Sequence, residues 1–243
     1  MKINILTLFP EMFTAVQGSI LGRAAEKELL EFNFINIRDF STNKHNKADD
    51  YSYGGGQGMI MLPQPTFDAL ESIDAHNTRN IYMSPRGRML DQEIIEELSE
   101  EKEITILCGH YEGVDQRILD HWNMEEISIG DYILTGGELA AMVMIDSIAR
   151  LIPGVLAGEE SAYEESIYSG LLEYPQYTKP AVYEGIEVPS VLLSGDHRKI
   201  HLWRFEKSLE LTKNKRPDLY ERYLKEHGEL AKDELKVLEK FMK

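Results

Sequence analysis

A chain of 243 residues is long enough for one large domain or two modest ones. Hydrophobic residues make up 42% and charged residues 28%, so an ordinary core can be buried, and no run approaches the ~18 apolar residues of a membrane span. The net charge of −16 argues against a uniformly basic nucleic-acid-binding surface, and the single cysteine, Cys108, excludes an internal disulfide and suits a reducing cytoplasm.

The N-terminus, MKINILTLFPEM, is a short apolar run cut by Pro10 with no small-residue cleavage site, and it reads as a first strand rather than a signal peptide. Strands are predicted at 3–9, 32–37, 81–83, 104–107 and 126–129. Helices are predicted between them at 11–30, 66–73, 91–100 and, after the last, 138–149. Such alternation predicts an α/β fold with a mostly parallel sheet, whose ligands bind beyond the carboxyl ends of the strands. Helix 138–149 carries Leu139, Met142 and Val143 on one side and Ala141, Met144, Ile145 and Ile148 on another. A helix apolar on two sides must be covered on both, by a deep core or by a subunit interface.

After Pro153 the text loses its period and becomes rich in small and acidic residues, which predicts a mobile linker. The expected organisation is a domain at 1–155, a linker at 156–170 and a small α-helical domain at 171–243, with helices at 197–213, from Pro217, and near the end. Much of the acid lies at 91–103 and 159–173. By contrast, 196–216 holds seven basic residues (Arg198, Lys199, Arg204, Lys207, Lys213, Lys215, Arg216) against three acids. That segment is either an RNA-facing surface or a solvated helix face. His197 and His201 share a helical face but lack a third ligand at metal-site spacing, and Trp203 is expected to pack the helical domain.

The glycine run 54–58 does not follow a strand or open into a helix, and Pro63 and Pro65 follow it, so it is read as tight turns and not as a dinucleotide-binding loop. Three other loops do follow predicted strands: SPRG at 84–87, GHYEGVD at 109–115 and IGDYILTGGE at 129–138. One glycine-rich loop is an ordinary turn. Three at one end of a parallel sheet suggest a shared ligand pocket built from backbone groups.

These loops, with RLIPGVL at 150–156, LLEYPQYTKP at 171–180 and VPSVLLSGDH at 188–197, resemble the bacterial tRNA (guanine-N1)-methyltransferase family, in fixed order from Ile5 to Leu219. The resemblance implies the SPOUT class: a parallel sheet ending in a C-terminal trefoil knot, which ordinary topological rules would not suggest. It implies a cytoplasmic homodimer, S-adenosyl-L-methionine as methyl donor, and as substrate a tRNA with guanosine immediately 3′ of the anticodon, at position 37. It leaves room for magnesium, although no metal cluster stands out.

Carried over by position, the resemblance implies a donor site made by Tyr82 and Pro85 from the first loop and by Gly109, Tyr111, Glu112 and Gly113 from the second. From the third come Ile129, Gly130, Asp131, Tyr132, Ile133, Leu134, Gly136 and Gly137. Guanine N1 carries a proton at neutral pH, so methylation needs a base, and a guanidinium can stabilise the charge that spreads to O6. The family uses an aspartate before Ser within the linker and the arginine of R-x-I-P-G-V-L. The arginine is Arg150, whose charge at a helix C-terminus also answers the dipole. At the aspartate position stands Glu165, one methylene longer, with Glu164 beside it. This departure leaves open Glu164, another carboxylate, or a non-catalytic RNA-binding module that retains the fold. Gln116 and Asp196 are smaller departures, where the family often has Glu and Asn.

Overall fold

The computed structural model describes residues 1–156 and 169–242, in two compact units, Met1–Glu159 and Glu160–Lys243. The first unit is built on a five-stranded parallel sheet of β1 (Lys2–Thr7), β2 (Glu31–Asn36), β5 (Arg79–Met89), β6 (Glu103–Leu107) and β7 (Glu125–Ser128), in the order β2-β1-β6-β5-β7. Strand β1 is buried on both faces, with Ile3, Asn4, Ile5, Leu6 and Thr7 all fully covered, as an interior strand of a parallel sheet requires. Its side chains alternate between two cores. Ile3 and Ile5 join one with Ile104, Ile106 and α1 (Ser19–Glu26), α3 (Gln92–Ser99) and α5 (Glu138–Ala149). Leu6 joins the other with Leu107, α2 (Pro63–Glu71) and α4 (Gln116–His121), closed by the buried Trp122. The result is a sheet covered on both faces.

Two departures from the expected elements and one unpredicted hairpin have physical causes. The single helix expected at 11–30 is a 3-10 turn, Pro10–Gln17, followed by α1. Gly18 is extended and Ser19 takes a left-handed φ of 54°, so the helical ladder cannot pass between them. The loop expected at 84–87 lies inside β5, whose pairing with β7 shifts register so that Ile127 faces both Met83 and Arg88. Such a bulge bends the strand and re-aims its residues. Finally, the glycine run joins β3 (Asp49–Tyr51) to β4 (Met59–Met61), an antiparallel pair, and Gly54, Gly55, Gly56 and Gly58 all take positive φ. Those conformations require residues without a Cβ, in accord with the reading as turns.

Helix α3 starts where its sequence says it should, with the Asp91 carboxylate accepting from Ile94 N at 3.1 Å as N-cap. Helix α5 turns Ala141, Met144, Ile145 and Ile148 into the core, while Leu139 and Val143 remain about half exposed, at 48% and 49%. Met142, expected on the side of Leu139 and Val143, packs against the core instead, so only those two form the second apolar side.

Among its described residues the second unit has a short hairpin, β8 (Val182–Tyr183) with β9 (Ile186–Glu187), and the α-helices α6 (His197–Lys215), α7 (Pro217–Glu226) and α8 (Lys232–Phe241). Asp196 caps α6 by accepting from Lys199 N, and Pro217 opens α7 at a position that needs no N–H. Leu171, Leu209, Tyr220, Tyr223, Val237 and Leu238 form the core. Thr212 ties the incoming chain to α6, accepting from Leu172 N at 2.8 Å and donating to Ser208 O at 2.6 Å. No helix among the described residues is long and apolar enough to cross a membrane.

Candidate functional site

Parallel strands all point their carboxyl ends the same way, so the chain leaving β6 and β7 and the bulge in β5 gather at one edge of the sheet. There they enclose a cavity of about 260 Å³. Tyr82 and Pro85 line it from β5, Gly109, Tyr111, Glu112 and Gly113 from the second loop, and Ile129, Gly130, Tyr132, Ile133, Leu134, Gly136 and Gly137 from the third. Of the residues proposed for this pocket from sequence, Asp131 alone does not line the cavity. Met83, Ser84, His110, Ile127, Ser128, Thr135 and Ala140 line it too and were not singled out. His110 and Thr135 lay within the motif loops, but nothing local distinguished them.

The cavity depends on missing side chains. A Cβ at Gly109 would stand 2.7 Å from the Tyr82 ring and hydroxyl. One at Gly137 would stand 3.0 Å from the Cys108 Cα and the Gly109 N, so the second and third loops touch backbone to backbone. Gly137 N donates to Gly109 O at 2.8 Å across this contact, and His110 and Gly136 form a lone β-bridge beside it. Gly113 adopts φ 124°, which turns the second loop back beside the Tyr82 hydroxyl. The same loop is held from outside by the β3–β4 hairpin: Glu112 N donates to Met59 O, Met61 N to Gly113 O and Asp115 N to Met61 O.

Burial, with Glu126 second, pushes the Tyr82 phenol above its ordinary value, and complete burial pushes the Cys108 thiol well up, with Glu138 adding to the effect. At neutral pH both remain protonated, so Tyr82 can donate a hydrogen bond and neither is a base. Arg86 pairs with Glu126 at 3.0 Å. At the first turn of α5 the Glu138 carboxylate is 1% exposed, and its Oε1 accepts from the Thr7 hydroxyl at 2.7 Å.

Arg150 is not part of this cavity. It is half-buried at the C-terminal end of α5, whose first turn adjoins the pocket. Twelve residues of helix rise about 18 Å, so the two lie a helix length apart within one chain. Glu165 and Glu164 lie outside the described residues. Among the described residues no group of three or more His, Cys, Asp or Glu could hold a metal ion.

The basic segment of the second unit is largely answered by its own acids. Arg198 pairs with Asp233, Lys199 with Asp196, Lys207 with Glu210 and Arg216 with Asp218. Arg204 lies 4.7 Å over the Tyr174 ring, and Lys213 donates to Phe241 O. His201 approaches Glu234 at 2.9 Å, while Trp203 is half-buried with its ring 6.4 Å from that of Tyr177. Gln116 bonds Asp120 along α4.

A parallel sheet covered on both faces, with a cavity lined by backbone-rich loops at its carboxyl edge, defines an α/β protein with a candidate small-molecule site there. The comparisons narrow this. The family model for "tRNA (Guanine-1)-methyltransferase TrmD" matches residues 1–222. A tRNA (guanine-N(1)-)-methyltransferase of Clostridium perfringens (strain 13 / Type A) is 52% identical over 98% of this chain and 99% of its own. Those of Clostridium beijerinckii and Ruminiclostridium cellulolyticum are 54% and 56% identical, covering 98% and 90% of this chain and 98% and 96% of their own. The chain belongs to the tRNA (guanine-1)-methyltransferase family.

Proposed function

We propose that this protein transfers a methyl group from S-adenosyl-L-methionine to N1 of a guanosine in tRNA, the one immediately 3′ of the anticodon. The observation that carries the reading is the single cavity made by the three loops in a chain that matches the family almost end to end. The donor fits its chemistry: adenine needs an apolar slot with backbone groups, close approach needs Gly109 and Gly137, and Tyr82 supplies a hydroxyl that stays protonated. When bound, the donor supplies an electrophilic methyl group. Glu165 is the residue proposed to take the N1 proton, and Arg150 the one to stabilise the charge on O6. The trefoil threading of the class belongs to this proposal, supported by the family match.

The protein acts as a homodimer in this reading. The half-exposed Leu139 and Val143 on α5 offer an apolar face for a second copy. Sharing the site between subunits also accounts for Arg150 standing a helix length from its own cavity. The second unit binds the tRNA through its basic helix once its internal ion pairs exchange for phosphates.

The test is methyl transfer from labelled donor to a tRNA transcript bearing guanosine after the anticodon, against one bearing adenosine, whose N1 has no proton to remove. Labelling of the first alone is expected. Equal labelling of both sinks the substrate, and donor binding without transfer to any tRNA leaves an RNA-binding module.

A further inference from the structure

Behind the cavity lies a buried acid that the proposed chemistry does not use. Glu138 is the first residue of α5, 1% exposed, and its Oε1 is answered by the Thr7 hydroxyl at the end of β1. Its Oε2 is buried without a hydrogen-bond partner. Beside it stands the His110 imidazole, with Nε2 at 3.5 Å. A carboxylate oxygen left unanswered in the interior is costly, and the imidazole beside it belongs to the wall of the cavity.

The approach is built into the third loop. A Cβ at Gly136 would strike both partners, standing 2.5 Å from His110 Nε2 and colliding with Glu138 Oε2, so these side chains meet in the space that glycine leaves. The imidazole is clamped from its other sides, by the Phe9 ring at 4.7 Å and the Tyr111 ring at 5.7 Å, and Tyr111 itself is held at φ 59° and accepts from Arg38 Nη2 at 3.3 Å. One chain of contacts thus runs from the end of β1 through α5 to the second loop, across the third. At 3.5 Å the imidazole and carboxylate stand just beyond a good hydrogen bond.

We propose that His110 and Glu138 are a positioning pair that closes to a charge-assisted hydrogen bond when the methyl donor draws the second and third loops together, so that answering the buried carboxylate adds to the donor's affinity. The pair touches no reacting atom; it sets the width of the slot. This rests on the cavity being the donor site.

The test is titration of the full-length protein with S-adenosyl-L-methionine by calorimetry. His110→Phe keeps a ring against Phe9 and Tyr111 but has no N–H to give. It is expected to weaken donor binding about tenfold, and Glu138→Gln similarly. The double variant is expected to be no weaker than either single one, because both remove the same bond. His110→Gln, whose amide can donate, is expected to recover to within about threefold of the parent. In methyl transfer the loss is expected in KM for the donor and not in kcat. A parent that does not bind the donor refutes the donor site itself. A parent that binds while His110→Phe matches it, or while His110→Gln is as weak as His110→Phe, or while the losses add, overturns the pair. Because His110 is a cavity-wall residue, its two variants decide the matter even if Glu138→Gln fails to fold.

Discussion

Gly137→Ala isolates the contact between the second and third loops. The backbone there has φ −79°, so alanine meets no conformational strain. Its Cβ, however, would sit 3.0 Å from the Cys108 Cα and the Gly109 N, and 3.3 Å from the Met83 Cβ. Carbon contacts are comfortable near ~3.5–4.0 Å, so the loops must part by about half an ångström, stretching the bond from Gly137 N to Gly109 O. Overpacking of this kind costs about 1–3 kcal/mol. Restricting the unfolded chain returns about 0.4–1 kcal/mol. The net loss is then at most a few kcal/mol, and the protein stays folded. Donor binding has no such offset. The loops that part are the walls of the slot, and a strain of about 1.4 kcal/mol, within that range, carried into the bound state weakens donor binding about tenfold. Calorimetric titration with S-adenosyl-L-methionine, alongside a thermal melt, measures both quantities. Gly18→Ala is the control, since its Cβ would meet only Ala15 O at 3.8 Å, and unchanged affinity is expected. A Gly137→Ala protein that binds the donor within twofold of the parent would refute the apposition of the loops as the determinant of the pocket.

Other outcomes follow from the same structure and from the proposed dimer. Glu165→Gln is expected to lose most turnover with donor affinity retained, while Gly137→Val loses the donor. Mixing the two chains under subunit exchange is expected to restore methyl transfer if each site joins two subunits, and no recovery after confirmed exchange rejects the shared site. Thr212→Val leaves the Leu172 N–H without its acceptor and should lower the stability of the second unit by about 1–3 kcal/mol, read from denaturant unfolding; an unchanged midpoint would count against that bond. Arg216 holds the Asp218 carboxyl at about 2. A depressed folded value means that its contribution is complete above the unfolded value of about 3.9 and is lost as pH falls through the folded one. Carbon-detected titration in Arg216→Gln should move that carboxyl up towards its ordinary range, and no movement would deny the pairing.

The sequence by itself determined the five strands of the parallel sheet, the positions of the second and third loops and the apolar character of α5, because each depends on a short-range pattern. An alternating or continuous apolar run declares a strand, and glycine beside polar residues declares a turn whatever surrounds it. What those patterns could not declare is which groups answer one another across the fold. The register shift that puts 84–87 inside β5 depends on pairing with β7, forty residues away in the chain. The basic residues of α6 look free in a count of charges, yet Arg198 finds Asp233 in α8 and Lys213 finds the Phe241 carbonyl at its end. Glu138 reads as an ordinary acid at a helix start, where the dipole favours it. Only the packing of α5 against the end of β1 buries it, gives one oxygen to Thr7 and leaves the other to His110. Local periodicity is carried by neighbours in the chain, whereas the partner of a buried charge is chosen by tertiary packing, since desolvation penalises whatever the fold leaves unanswered.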